Sequence, residues 1–278
     1  MKITILGSGG WEGIPSPFCT CTVCQKAKQN PVSKDNRTRP EILVEGDSGS
    51  FLIELSPDIR LQSTRFNLPL IKDFLVSHWH FDHLYGIMEL HAWAEFVMHN
   101  GINIFCSNET KDWIDKSFGY IPKNIISIQP YKRFDLYGIT VTPIPVYHMR
   151  GVDDVIKEDK LDNVFGYVIE KEGKRVVYLA DYYKIPQRTF ELIKGADIII
   201  ADGTYLFEDL FPNKVTQNEL KNDSDHLHGK DILTLMSTLN AKEIIFHSIT
   251  HLSEKDHSNL QTLLPQGFKI SYDGMVLL

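Results

Sequence analysis

Three histidines and an aspartate crowd into His78-Trp79-His80-Phe81-Asp82-His83, one serine past the apolar run Phe74-Leu75-Val76. A buried strand that stops there leaves these polar side chains at its tip. Side chains two apart in an extended segment point the same way. His78 and His80 can therefore grip one ion together. Asp82 and His83 follow the turn and can grip a second. Imidazole with carboxylate suits zinc, iron or manganese at a centre that keeps a position open for water or substrate.

Further candidate ligands stand just past other strand-like runs. His148 follows Val141-Thr142-Pro143-Ile144-Pro145-Val146, Asp181 follows Val176-Val177-Tyr178-Leu179-Ala180, and His247 follows Ile244-Ile245-Phe246. A site assembled from several strand ends has this pattern, with a rigid sheet carrying loops that bear the chemistry. A separate cluster lies near the N-terminus, where Cys19, Cys21 and Cys24 form C-x-C-x-x-C. Thiolates this close are a structural zinc signature and need a fourth ligand from elsewhere in the chain. Cys106 stands apart, so a disulfide framework is not expected.

The elements that must position these residues fall into two halves. Strand-like runs lie at 2–6, 41–44, 51–55 and 73–77, then at 139–146, 164–170, 175–180, 197–201 and 243–249. Helix-like stretches lie between them, at Tyr85–His99, Glu109–Lys116 and Asp231–Leu239. Two groups of strands with helices outside predict an α/β fold, a four-layer αββα sandwich. One domain over 1–278 is expected, with a zinc-binding loop at about 17–27 and a charged insertion at about 151–163. That insertion reads as a solvated loop or as a lid over the metals.

The H-x-H-x-D-H stretch, His148, Asp181 and a later histidine resemble, in order, the ligand motifs of the metallo-β-lactamase superfamily. The resemblance runs from Leu6-Gly7-Ser8-Gly9-Gly10 to Ser271-Tyr272-Asp273-Gly274-Met275. It implies the same sandwich fold and a dinuclear centre. His78, His80 and His148 would hold one ion, Asp82, His83 and His247 the other, with Asp181 bridging. The chain departs from the family's Asp-x-Gly-Pro-Asp motif. Its matching stretch is Glu54-Leu55-Ser56-Pro57-Asp58, which leaves open the hydrogen bonds that Glu54 makes.

The cysteine motif narrows the resemblance to the phosphoribosyl cyclic phosphate phosphodiesterases of phosphonate (carbon–phosphorus lyase) metabolism. In that subfamily a later histidine completes the cysteine site. Two registers fit His247-Ser248-Ile249-Thr250-His251. The preferred one puts His247 on the catalytic metal and His251 on the zinc, because His247 directly ends its strand. The other puts His251 on the catalytic metal and leaves His257 or Glu254 for zinc. Subfamily members also carry a histidine that protonates a leaving group. His226 is the preferred match, with His228 as helix cap or second candidate. Asp82, His226 and His228 are thus the candidate catalytic residues.

The chemistry expected is hydrolysis of a small cyclic phosphodiester, a cyclic ribose phosphate or cyclic nucleotide, to a phosphomonoester. Two divalent ions outweigh the charge of Asp82 and Asp181 and attract an anionic substrate. They lower the pKa of water toward ~7 and stabilise both oxygens of an in-line displacement. A tRNA-trimming endonuclease, a lactonase or thioester hydrolase, and a non-catalytic metal-binding module are the alternatives. A serine nucleophile is not expected, since G-x-S-x-G is missing.

Composition bounds the rest. The 278 residues are 42% hydrophobic with net charge −7. That content can build a sizeable core. No basic run suggests a nucleic-acid footprint. No apolar run approaches the ~20 residues of a membrane span. Met1-Lys2-Ile3-Thr4-Ile5 reads as a first strand rather than a signal peptide, and the unpaired cysteines point to the cytoplasm. A homodimer remains compatible with these features.

Overall fold

The computed structural model describes residues 1–98, 101–148, 163–212 and 226–278. The charged insertion falls outside the described residues, apart from Asn163. Among the described residues there are fourteen strands: β1 (Lys2–Gly7), β2 (Glu41–Glu45), β3 (Ser50–Ile53), β4 (Asp73–Leu75), β5 (Ile102–Cys106), β6 (Lys123–Ser127), β7 (Phe134–Leu136), β8 (Ile139–Val146), β9 (Val164–Lys171), β10 (Lys174–Tyr178), β11 (Ile198–Asp202), β12 (Glu243–His247), β13 (Phe268–Ile270) and β14 (Met275–Val276). They form two seven-stranded sheets, β14-β1-β2-β3-β4-β5-β6 and β13-β12-β11-β10-β9-β8-β7. The two halves of the chain thus make one sheet each, with the last strand returning to β1.

Side-chain alternation explains the layers. Ile42, Val44, Phe51, Ile53, Leu75 and Phe105 of the first sheet join Ile144, Val146, Phe165, Tyr167 and Tyr178 of the second in one buried cluster. The intervening Leu43, Leu52, Phe74 and Ile104 face the other way. There they pack with Ile59, Ile87 and Ile114 from the helices on that side. The first sheet is therefore covered on both faces, which is why its strands read as near-continuous apolar runs. On the far side of the second sheet, Ile193, Ile232 and Met236 supply the helical layer. The result is an αββα sandwich.

Strand direction decides where the chemistry sits. β8 and β10 both pair antiparallel with β9, so they run the same way. β10, β11 and β12 are parallel neighbours. The C-terminal ends of β8, β10, β11 and β12 consequently emerge on one edge, carrying His148, Asp181, Asp202 and His247. Ligand sites in parallel sheets gather at such an edge. The first sheet delivers its contribution where β4 ends. There the Phe165 N–H donates to Ser77 O at 3.1 Å, and the Tyr167 hydroxyl donates to Val76 O at 2.9 Å. β4 itself ends at Leu75, two residues earlier than the apolar run predicts, and these bonds tie the segment that follows to the second sheet.

The helix expected over Tyr85–His99 is divided into Gly86–Glu89 and His91–Phe96, with Leu90 between. Its start is pinned tightly. A Cβ at Gly86 would lie 2.2 Å from Ser56 O, and the Gly86 N–H donates to Leu55 O at 2.9 Å. Only glycine lets this turn approach the Glu54–Ser56 segment so closely.

Candidate metal centre

His78-Trp79-His80 is extended and His80 is the N-cap of a one-turn helix, Phe81–Leu84. The alternation turns His78 and His80 to the same side, and the helical turn carries Asp82 and His83 to a second position. The backbone locks this turn, with Leu55 N–H donating to His83 O at 2.9 Å and His83 N–H to His80 O at 3.1 Å. His78, His80, His148 and Asp181 bring donor atoms within 4.8 Å of one another, and so do Asp82, His83 and Asp181. Asp181 belongs to both groups. Its Oδ2 lies 3.4 Å from His83 Nε2 and 3.8 Å from His148 Nε2. His148 Nε2 also faces His80 Nδ1 at 3.2 Å.

Several features fit cations at these positions. Nε2 of His78 is buried with no hydrogen-bond partner, while its Nδ1 meets Ser77 Oγ at 2.9 Å. An orphaned buried nitrogen in a nest of imidazoles is costly unless an ion takes its lone pair. Burial and the neighbouring histidines push His78 well below the usual imidazole range and His80 down to about 4. Both rings are thus neutral and available to ligate. Burial also opposes the charged form of His83, but Asp82, Glu54 and Asp181 together raise its pKa well above the ordinary value.

Glu54 answers the question its motif raised. It is fully buried and its backbone adopts φ 72°, a rare conformation for a non-glycine residue. One carboxylate oxygen accepts from the Tyr178 hydroxyl at 2.9 Å and lies 3.2 Å from His83 Nδ1. The other accepts from the Ser77 N–H at 3.1 Å. Glu54 therefore fixes the ring of His83 with Nε2 turned inward, as carboxylates behind metal-binding histidines do.

Among the described residues, His247 is not in the group of donor atoms within 4.8 Å that Asp82, His83 and Asp181 form. The expected ligand stands instead with Nε2 3.3 Å from Leu179 O and Nδ1 3.0 Å from Ser248 Oγ. It is buried where β12 ends, with its ring 5.2 Å from that of Tyr178 at the end of β10. Besides His83 and His148, His226 also stands beside Asp181. Its Nε2 lies 3.9 Å from Asp181 Oδ2 and its Nδ1 2.7 Å from Asp202 Oδ2. Asp181, Asp202 and His226 form a third convergent group. His228 occupies the N-cap position of helix Gly229–Thr238 without a side-chain capping bond. It pairs with Glu208 at 2.7 Å and stacks on Tyr205 with ring centroids 4.9 Å apart.

The cysteine motif assembles with His251. His251 Nδ1 lies 3.5 Å from Cys19 Sγ and 3.6 Å from Cys21 Sγ, and Cys24 completes a group within 4.8 Å. His257, the ligand of the alternative register, instead places Nδ1 3.0 Å from the buried Arg37 guanidinium. Burial pushes the Cys24 thiol up to about 12. Holding these sulfurs together as thiolates thus calls for a compensating cation, and soft ligands of this kind select zinc.

A family model described as a β-lactamase superfamily domain matches residues 50–249. The chain belongs to this superfamily. Among curated relatives, coenzyme PQQ synthesis protein B of Methylobacterium radiotolerans is 27% identical over 229 residues, covering 75% of each chain. Among solved structures, a diphosphatase of the PhnP family superposes with a TM-score of 0.78 at 23% identity, over 100% of this chain and 97% of the other. Zinc-bound PqqB from Methylobacterium extorquens superposes with 0.77 at 21% identity, over 100% of both. At these identities the structural likeness speaks for the fold.

In this superfamily member the groups open onto a cavity of about 150 Å³, lined by Trp11, His80, Asp82, His148, Asp181, Thr204, His226 and Ser248. Sequence reasoning missed Trp11, Thr204, Ser248 and Asp202. Asp202 carried the same signal as the others, a carboxylate closing the apolar run Ile198–Ala201. Trp11 and Ser248 carried none, since both lie in connecting loops.

Proposed function

We propose that the protein is a dinuclear metal-dependent phosphodiesterase that opens a small cyclic phosphodiester to a phosphomonoester. The observation that carries this reading is Asp181 shared by two ligand groups, beside a histidine held by its own carboxylate. His78, His80 and His148 would hold one ion and Asp82 with His83 the other, Asp181 serving both. Two divalent ions supply positive charge to the attacking and departing oxygens and make water more acidic. The Cys19, Cys21, Cys24 and His251 group would hold a structural zinc away from the reaction.

The chain's own residues do the rest. Asp202 accepts from His226 Nδ1 and so leaves Nε2 facing the cavity. Water forms a new bond to phosphorus and releases a proton to solvent, one ring P–O bond breaks, and the departing alkoxide takes the Nε2 proton of a doubly protonated His226, which solvent then restores. Among the described residues no helix is long and apolar enough to cross a membrane, in keeping with a freely diffusing anionic substrate. We place the protein in the cytoplasm on its unpaired cysteines.

The test is turnover by metal-defined protein of a five-membered cyclic phosphate, a tRNA precursor and a lactone. The cyclic phosphate should react fastest. A faster lactone or tRNA precursor would overturn the proposal. A second reading, a role in cofactor synthesis, is favoured by the relative named for coenzyme PQQ. A fully metal-loaded protein inert to all three substrates would turn the choice toward it.

A further inference from the structure

The cavity at the metal ligands is about 150 Å³. Pockets that engulf a small molecule run ~300–1,000 Å³. This one accommodates the reacting phosphate, so the remainder of the substrate must lie on its rim. The rim presents a tryptophan. Trp11 lines the cavity and is 62% exposed.

The loop that carries Trp11 is pinned on both sides. Gly10 N–H donates to Ile249 O at 3.1 Å, and Gly13 N–H donates back to Gly10 O at 2.9 Å. The Glu12 carboxylate accepts from His251 N–H at 3.3 Å. The carbonyl of Trp11 itself accepts from Arg39 Nε at 3.0 Å. Arg39 is held by Asp58 at 2.9 Å, and its guanidinium lies 5.2 Å from the ring centre of Phe81. Phe81 is 48% exposed and sits between His80 and Asp82 in the chain. A large ring left in water on a backbone anchored through Gly10, Glu12 and the Trp11 carbonyl, at the mouth of the cavity, is the construction of a stacking platform.

We propose that Trp11 stacks against a planar ring carried by the substrate, so that the preferred phosphodiester bears a nucleobase or similar flat heterocycle rather than a bare sugar. This rests on the phosphodiesterase reading for the reaction, but the platform is a binding property and can be measured separately. Stacking on one aromatic face contributes ~1–3 kcal/mol per base, or about 5- to 150-fold in affinity.

The experiment compares manganese-loaded wild type, Trp11→Ala and Trp11→Phe in two assays. Equilibrium binding uses adenosine monophosphate against ribose phosphate. Turnover uses the five-membered cyclic phosphate of adenosine against that of methyl riboside. Wild type should favour the adenosine compound in both assays. Trp11→Ala should reduce that preference by about 5- to 150-fold, and Trp11→Phe should keep most of it. Trp11 is exposed, so neither change threatens folding. Equal binding of the two monophosphates by wild type, or a preference that survives Trp11→Ala, overturns the inference. A binding preference lost in Trp11→Ala without any turnover supports the platform and removes the phosphodiesterase reading.

Discussion

Removing the His226 imidazole should reveal whether it donates a proton or only positions the substrate. The ring is tied by Nδ1 to Asp202 Oδ2 at 2.7 Å, with side-chain exposures of 14% and 3%. Loss of a general acid costs about 10²–10⁴-fold in rate. His226→Ala should therefore cost that much on a cyclic phosphate whose leaving group is an alkoxide. Asp202→Asn keeps the ring and loses a largely buried, charge-assisted hydrogen bond. Such bonds contribute ~1.5–3 kcal/mol, so this variant should lose about 10- to 150-fold. The two residues act through one proton, so the double variant should be no worse than His226→Ala alone. The assay is single-turnover hydrolysis of paired substrates, one releasing an alkoxide and one releasing nitrophenolate. Nitrophenolate departs without protonation, and both variants should be nearly normal on it. Equal losses on the two substrates, or additive losses in the double variant, would refute proton donation by a His226–Asp202 pair. His228, held by Glu208 at 2.7 Å, would then be the next donor to test.

Two further outcomes follow from the geometry. Cys21→Ser should remove about one zinc ion per chain and lower Tm more than it lowers activity per folded molecule, measured by metal analysis and calorimetry; unchanged zinc content would dissolve the cysteine site. Glu54→Asp shortens the carboxylate that lies 3.2 Å from His83 and 2.9 Å from Tyr178, and it should weaken catalytic metal binding by about 10- to 100-fold in a manganese titration; an unaltered titration would mean that His83 needs no such support.

The sheet strands that carry ligands were legible in the sequence because both faces of each are buried. Phe74-Leu75-Val76 and Val176-Val177-Tyr178 announce themselves by apolar content alone. Lys123-Asn124-Ile125-Ile126-Ser127 did not, since β6 is an edge strand with mostly solvent-facing positions. Helix Ile59–Arg65 was missed for a similar reason, its two buried residues being Ile59 and Gln62. The H-x-H-x-D-H turn was readable because local spacing fixes local direction. His247 was not, because strand-end position says where a residue emerges but not which way its ring turns. The orientation is set by Leu179 O, a backbone atom 68 residues away, together with the side chain of the adjacent Ser248. Asp202 went unremarked although it closes its strand as Asp181 follows β10, and its pairing with His226, 24 residues further along the chain, had no local signal.

The electrostatics of the second ligand group lead to a pH dependence with a definite sign. Burial disfavours a charged His83, yet Asp82, Glu54 and Asp181 outweigh it and hold its pKa well above the ordinary imidazole value. Asp181, despite its own burial, is kept well below the carboxylate range by His83, His226 and His148. At neutral pH the metal-free site therefore contains His83 protonated and Asp181 ionised. The stabilisation from charged His83 is fully present below its unfolded pKa of ~6.5 and is lost as pH rises through the higher folded value. A metal ion needs the neutral ring, so loading must expel the His83 proton, whereas Asp181 has none to give. Manganese titration of protein with its cysteine site already filled should release about one proton at pH 7. Apparent affinity should climb by up to about tenfold per pH unit until the folded pKa of His83 is passed. Calorimetry in two buffers of different ionisation enthalpy counts that proton directly. Binding that releases none, with affinity flat across the neutral range, would show that His83 is already neutral and that the surrounding carboxylates do not govern the site.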